Sequence, residues 1–148
     1  MKKFYFPLEK ALEWRKLSVE REEEKLQRLF ADRNSIDQQI RAVEAEQAKL
    51  NEELAQAPSR FARELAAMDS WRQYLIRRRS TLSASRAACE QRIQAQRLSL
   101  MEARRQLQLL ENLEARKRSE WQQAYDQEQE TLAGELHLAR MHGRRSAR

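Results

Sequence analysis

Glycine and proline are almost missing from this chain: two of each in 148 residues. Turns draw on those residues for positive φ or a preset φ, and such scarcity excludes a loop-rich or many-stranded fold. There is a single cysteine, Cys89, which excludes an internal disulfide and a CxxC metal site. Histidine is limited to His137 and His142. They lie five apart with Glu135 nearby, unlike the i, i+4 pair that presents two imidazoles to zinc on one helix face, so a solvated helix end is expected and no metal. No glycine-rich loop is present to cradle phosphate. No apolar run approaches the roughly 18 residues of a membrane span, and the short apolar start is interrupted by Glu9 and Lys10, too early for a signal peptide. A cytoplasmic location is expected.

Charge and helix-forming residues fill the chain instead. Asp, Glu, Lys and Arg make up 35% of it, and from Ser59 to Ala133 there are 75 consecutive residues without Gly or Pro. That stretch is crowded with Arg, Glu, Gln, Leu and Ala, which lose little side-chain freedom in a helix. At 1.5 Å per residue it would be about 110 Å long as one helix, more than an ordinary globular core encloses. Regularly spaced Leu, Ile and Val argue against disorder.

A second Gly- and Pro-free stretch runs from Leu8 to Ala57. In it one heptad position holds Leu12, Val19, Leu26, Arg33, Ile40, Gln47 and Leu54, and the other holds Leu8, Arg15, Glu22, Leu29, Ile36, Val43 and Leu50. Ten of these fourteen sites are apolar, the pattern of a two-stranded seam. Pro58 interrupts the pattern; it removes a backbone donor, disfavours helix at Ala57, and leaves Ser59 to cap the returning helix. The expected fold is therefore all-α: a single antiparallel coiled-coil hairpin with helix 1 over about 4–56, a turn at about 57–59, helix 2 over about 60–139, and a frayed basic tail over 140–148.

On the return arm Phe61, Met68, Leu75, Leu82 and Cys89 share one position, and Leu65, Ile93, Leu100 and Leu107 the complementary one. Placing Leu54 opposite Phe61 makes partner numbers add to 115, so Ile40 meets Leu75, Leu26 meets Cys89 and Leu8 meets Leu107. Arg72, Arg79 and Arg86 then occupy complementary sites, leaving a thin seam between 68 and 90 where a local shift is expected. Charge supports the fold-back: residues 31–57 carry −3 and residues 58–100 carry +6. Beyond Leu107 the second helix should continue unpaired, its apolar stripe passing to an eleven-residue period through Leu110, Trp121 and Leu132, with Tyr125 and Leu136 alongside.

No residue set points to catalysis. A nucleophile needs a base and a shaped, water-poor site, which a helical hairpin does not offer, so no catalytic residue, cofactor or small-molecule substrate is expected. Cys89 reads as a small core residue. The basic cluster of Arg72, Arg77, Arg78, Arg79 and Arg86 beside Trp71 and Tyr74 is expected to pair with acids of the other arm such as Asp32 and Asp37. Nucleic acid is not expected, because most helical faces also carry acids. Tyr74, Arg78, Thr81 and Ser85 form a stripe at i, i+4, i+7 and i+11 that suits a protein partner. Arg140, Arg144, Arg145 and Arg148 read as a basic end without a specific role.

Three stretches carry a resemblance across nearly the full length. The opening Phe4-x-Phe-x-Leu8-x-x-x-Leu12-x-x-Arg15, the stretch Trp71-Arg-Gln-Tyr74-Leu75-Ile, and the run Leu110-Glu-Asn-Leu113-Glu-Ala-Arg-Lys with Trp121, Tyr125 and Leu132-Ala-Gly-Glu135 after it resemble, in this order, the flagellar FliJ family. These are coiled-coil components of the bacterial flagellar type III export apparatus. The resemblance implies a monomeric two-helix stalk, peripheral to the membrane at the flagellar base, with three partners: the hexameric export ATPase, the membrane export gate and export chaperones. By position it places the gate contact at Trp71, Tyr74 and Leu75, extended along the stripe to Arg78 and Thr81; the family tends to have an apolar residue where this chain has Arg78. The ATPase contact falls to the apolar ends of the two arms: Leu8, Leu12, Leu107, Leu110, Leu113, Trp121 and Tyr125. A stalk of a virulence-type secretion system, a structural coiled-coil dimer and a basic nucleic-acid-binding coil are the competing expectations.

Overall fold

A computed structural model describes residues 3–56 and 61–145, with the side chains of Arg144 and Arg145 excepted. The described chain is two long helices with no strand: α1, Glu9–Gln56, and α2, Ala62–Arg145. The expected turn at 57–59, with Pro58 and the capping Ser59, and Arg148 of the basic end lie outside the described residues.

Both helices start later than the composition alone implies. Residues 4–8 are not helical, and α1 begins at Glu9, not near residue 4. Pro7 is the cause: its ring holds Phe6 away from the helical region, and it has no N–H to give. The chain instead makes a turn in which the Glu9 N–H donates to the Phe6 carbonyl at 3.2 Å, and the Leu12 N–H donates to the Leu8 carbonyl at 2.9 Å. At α2 the Phe61 carbonyl accepts from the N–H groups of Glu64 and Leu65 at 3.0 and 3.1 Å. The far end of α2 corrects a second expectation. The helix runs through Gly134 and Gly143 to Arg145, beyond the expected end near residue 139. One glycine costs a helix about 1 kcal/mol relative to alanine, too little to stop it without a competing turn.

The chain divides into two compact units, Glu20–Glu102 and the pair Met1–Val19 with Ala103–Arg148. In the first, antiparallel pairing is visible in bonds between the arms. Arg86 Nε donates to Asp37 Oδ1 at 2.6 Å, Arg79 Nη2 to Glu44 Oε1 at 2.9 Å and Arg78 Nη2 to Gln39 Oε1 at 3.2 Å. The core holds Val43, Leu50, Leu75 and Leu82, with Ile40, Leu54 and Met68 packed against it. Further along α2, Cys89, Ile93 and Leu100 are buried, Ile93 completely.

The register differs from the expected one by three residues. The Cys89 thiol lies 3.5 Å from the Leu29 carbonyl oxygen, and Gln96 Nε2 donates to the Glu22 carbonyl at 3.1 Å and to Glu22 Oε2 at 2.5 Å. Both pairs add to 118, so Leu29 stands in the place expected for Leu26. The shift follows from apolar matching. The 115 register would set Arg33 against Leu82 and Gln47 against Met68. At 118 the wholly apolar row Leu29, Ile36, Val43 and Leu50 serves the wholly apolar row Met68, Leu75, Leu82 and Cys89, which removes more apolar surface from water. Phe61, expected on the seam, is 80% exposed. Arg72, Arg79 and Arg86 lie outside the seam on exposed positions, and Arg33 moves to the flank, 3.6 Å from Glu90.

In the second unit Phe6 and Leu12 are each 5% exposed and Val19 is also buried. Arg15 Nη1 donates to Gln106 Oε1, and the Arg15 guanidinium lies 4.8 Å from the Trp14 ring centre. Leu107, Leu110, Leu113, Trp121 and Tyr125 are half-buried, whereas every position from Asp126 to Gly143 is exposed. Among the described residues no helix is long and apolar enough to cross a membrane.

Candidate partner-binding surfaces

The first surface belongs to the unit Glu20–Glu102. Trp71 and Tyr74 are three apart on α2, so their side chains leave the same helix face. Their rings stack with centroids 5.1 Å apart and an interplanar angle of 21°. Both are about half exposed, at 46% and 52%. Leu75, next in the chain, turns inward; it is 3% exposed and sits in the core. It can support the aromatic pair from beneath but offers no contact surface of its own. Arg78 is exposed and bonded to Gln39, while Thr81 donates its hydroxyl to the Arg77 carbonyl at 3.0 Å. The resulting surface is a stacked aromatic pair, flanked by the exposed Ile76, with guanidinium groups around it. Arg72 and Ile76 also line a shallow, open hollow with Gln47, Leu50 and Asn51.

Of the five arginines in this cluster, Arg79 and Arg86 pair with acids as expected, although Glu44 replaces the expected Asp32 as partner beside Asp37. The Arg86 guanidinium is held more firmly protonated by Asp37. Among the described residues Arg72 and Arg77 have no side-chain hydrogen bond or ion pair.

The second surface belongs to the other unit. Trp121 and Tyr125, one turn apart on α2, stack at 5.4 Å and 18°. They are not bare. Phe4 packs edge-on against Trp121, with centroids 6.0 Å apart and an interplanar angle of 60°. The Arg118 guanidinium lies 5.3 Å from the Phe4 ring centre while its Nη2 donates to Glu114 Oε1 at 3.1 Å. The expectation of an unpaired helix from Leu107 onward is thus corrected: pairing reaches Trp121 because residues 4–8, freed from α1 by Pro7, fold onto α2. Leu12 is core, and Leu8 is exposed at 40%. Leu132, Leu136, Leu138 and Met141 remain exposed, at 46%, 61%, 60% and 55%.

Phe4, Phe6 and Arg118 escape a search for helical periodicity. Their sign in the sequence is Pro7 together with the alternation Phe4, Tyr5, Phe6, in which Phe4 is half-buried, Tyr5 76% exposed and Phe6 buried, the period of an extended segment.

Among the described residues no group of three or more His, Cys, Asp or Glu is placed to hold a metal ion. The Glu22 carboxylate is held below its ordinary value, first by the hydrogen bond from Lys25 Nζ at 2.8 Å and then by the bond from Gln96. Through the bond from Gln96 it staples the two arms together. No protein-family model matches the chain, and neither does any curated protein or any solved structure.

Proposed function

We propose that the chain is a non-enzymatic stalk of the flagellar type III export apparatus, coupling a hexameric export ATPase to a membrane export gate and escorting export chaperones. The reading begins from the resemblance of three stretches to the FliJ family. The observation that carries it furthest is the Trp71–Tyr74 stack, which stands outward on α2 while the next residue, Leu75, is committed to the core. The stack leaves about half of two large rings in water, apolar surface that a docking partner can cover, and a docking surface needs such anchors. This pair and its guanidinium surround face the gate protein. The ATPase contact falls on Trp121, Tyr125 and the exposed apolar residues of the α2 end. Bonds between the arms, such as Arg86 to Asp37, support a hairpin that pairs within one chain; on this reading the chain acts as a monomer at the cytoplasmic face of the cell membrane.

The test is turnover by the export ATPase with and without the purified chain, paired with Trp121→Ala. Stimulation that is lost in the variant with its helix content intact supports the reading; turnover indifferent to the wild-type chain rejects it. Running the same assay with an ATPase from a virulence-type system separates the two export roles.

A further inference from the structure

We propose that residues 4–8 form a releasable strap that shields the Trp121–Tyr125 face of α2, so that a partner gains this face only when the strap lifts. The choice of partner, the ATPase, rests on the proposed export role; the strap itself does not. The segment is built as an extended peptide docked by alternate side chains. Phe4 meets the edge of Trp121, Phe6 is buried, and the intervening Tyr5 points to solvent. Pro7 sits at the hinge, where it separates the segment from α1 without cutting its tether. Among the described residues the backbone–backbone hydrogen bond made by residues 4–7 is the turn from the Phe6 carbonyl into Glu9, and the contacts seen with α2 are those of side chains. Arg118 adds a cation over the Phe4 face while keeping its bond to Glu114, so only the contact with the ring is lost when the strap leaves.

The strap and any partner that reads the Trp121–Tyr125 stack therefore compete for one aromatic surface. Intramolecular attachment makes the strap the default occupant, because its effective concentration is set by a short tether. The apparent affinity for the partner is then reduced by the fraction of chains whose strap is closed.

Two variants decide the matter in a background carrying Trp14→Phe and Trp71→Phe, which leaves Trp121 as the sole tryptophan. Phe4→Ala opens the strap. Tyr5→Cys with Arg118→Cys, bridged by a flexible bifunctional maleimide, locks it with the Phe4 ring retained. Acrylamide quenching of Trp121 should rise about twofold in the open variant and fall below the parent in the locked one, since quenching follows the open population. The protein concentration for half-maximal ATPase stimulation, measured with both native tryptophans retained, should fall about threefold on opening and rise on locking. Equal quenching in all three proteins, or weaker stimulation by the open variant, overturns the proposal. Should the wild-type chain leave the ATPase unmoved, the export role fails, and the quenching series alone then upholds or rejects the strap.

Discussion

The Cys89 thiol and the Leu29 carbonyl oxygen lie 3.5 Å apart across the two helices, and this pair marks the register at which the arms meet. A thiol so placed is 5% exposed and out of reach of reagents in the folded chain. Alkylation of native protein should therefore be slow and should accelerate sharply at the urea concentration where helix content is lost. Rapid labelling under native conditions would place Cys89 outside the seam.

Leu82 and Phe61 share a heptad position, but only Leu82 is buried, at 5% against 80% for Phe61. Leu82→Ala should destabilise the chain by about 2–5 kcal/mol in urea unfolding, since it leaves a cavity in the row that fills the seam. Phe61→Ala should change stability by no more than about 0.5 kcal/mol. Equal effects would restore the 115 register.

Glu22 gives the acid side of the stability curve a named contributor. Its carboxylate is held low by Lys25 and Gln96. A depressed carboxylate adds stability above its unfolded value, about 4.3, and that contribution is lost as pH falls through the lower folded value. Melting temperature should decline in that window for the wild type, and Glu22→Gln should flatten the decline while being less stable near neutrality. An unchanged slope in the variant would show that other carboxylates carry the acid transition.

The exposed end of α2 should contribute to recognition more than to folding. Every residue from Asp126 to Gly143 is exposed. Removing residues 130–148 should leave the unfolding free energy from urea titration unchanged within about 0.5 kcal/mol, and should reduce ATPase stimulation if Leu132 and Leu136 belong to that contact. A large loss of stability would instead give the end a packing role.

Exposed ion pairs such as Arg79 with Glu44 should matter little singly, because water and salt screen them. Their combined effect should emerge as a modest fall in melting temperature between low and high salt. A steep salt dependence would assign the charge pattern of the arms a larger share of the folding energy than the apolar rows.

The sequence by itself determined the helices. Near-absence of Gly and Pro, strong helix formers and a heptad repeat leave no other regular structure for this chain, and the complementary charges of residues 31–57 and 58–100 point to a fold-back. Those are local properties, readable from spacing. Which rows face each other was decided only by the tertiary structure: sliding one arm by three residues keeps both heptads intact, so the choice falls to which partners fill the seam, and Leu29, Ile36, Val43 and Leu50 fill it where Arg33 and Gln47 do not. The same holds for the two surfaces. Trp71, Tyr74 and Leu75 are neighbours in sequence, yet only packing separates the outward pair from the buried leucine. Phe4 and Trp121 are 117 positions apart, and no periodicity brings them together. They meet because Pro7 ends helical geometry ahead of α1, and the chain that remains buries its phenylalanines on the nearest apolar face.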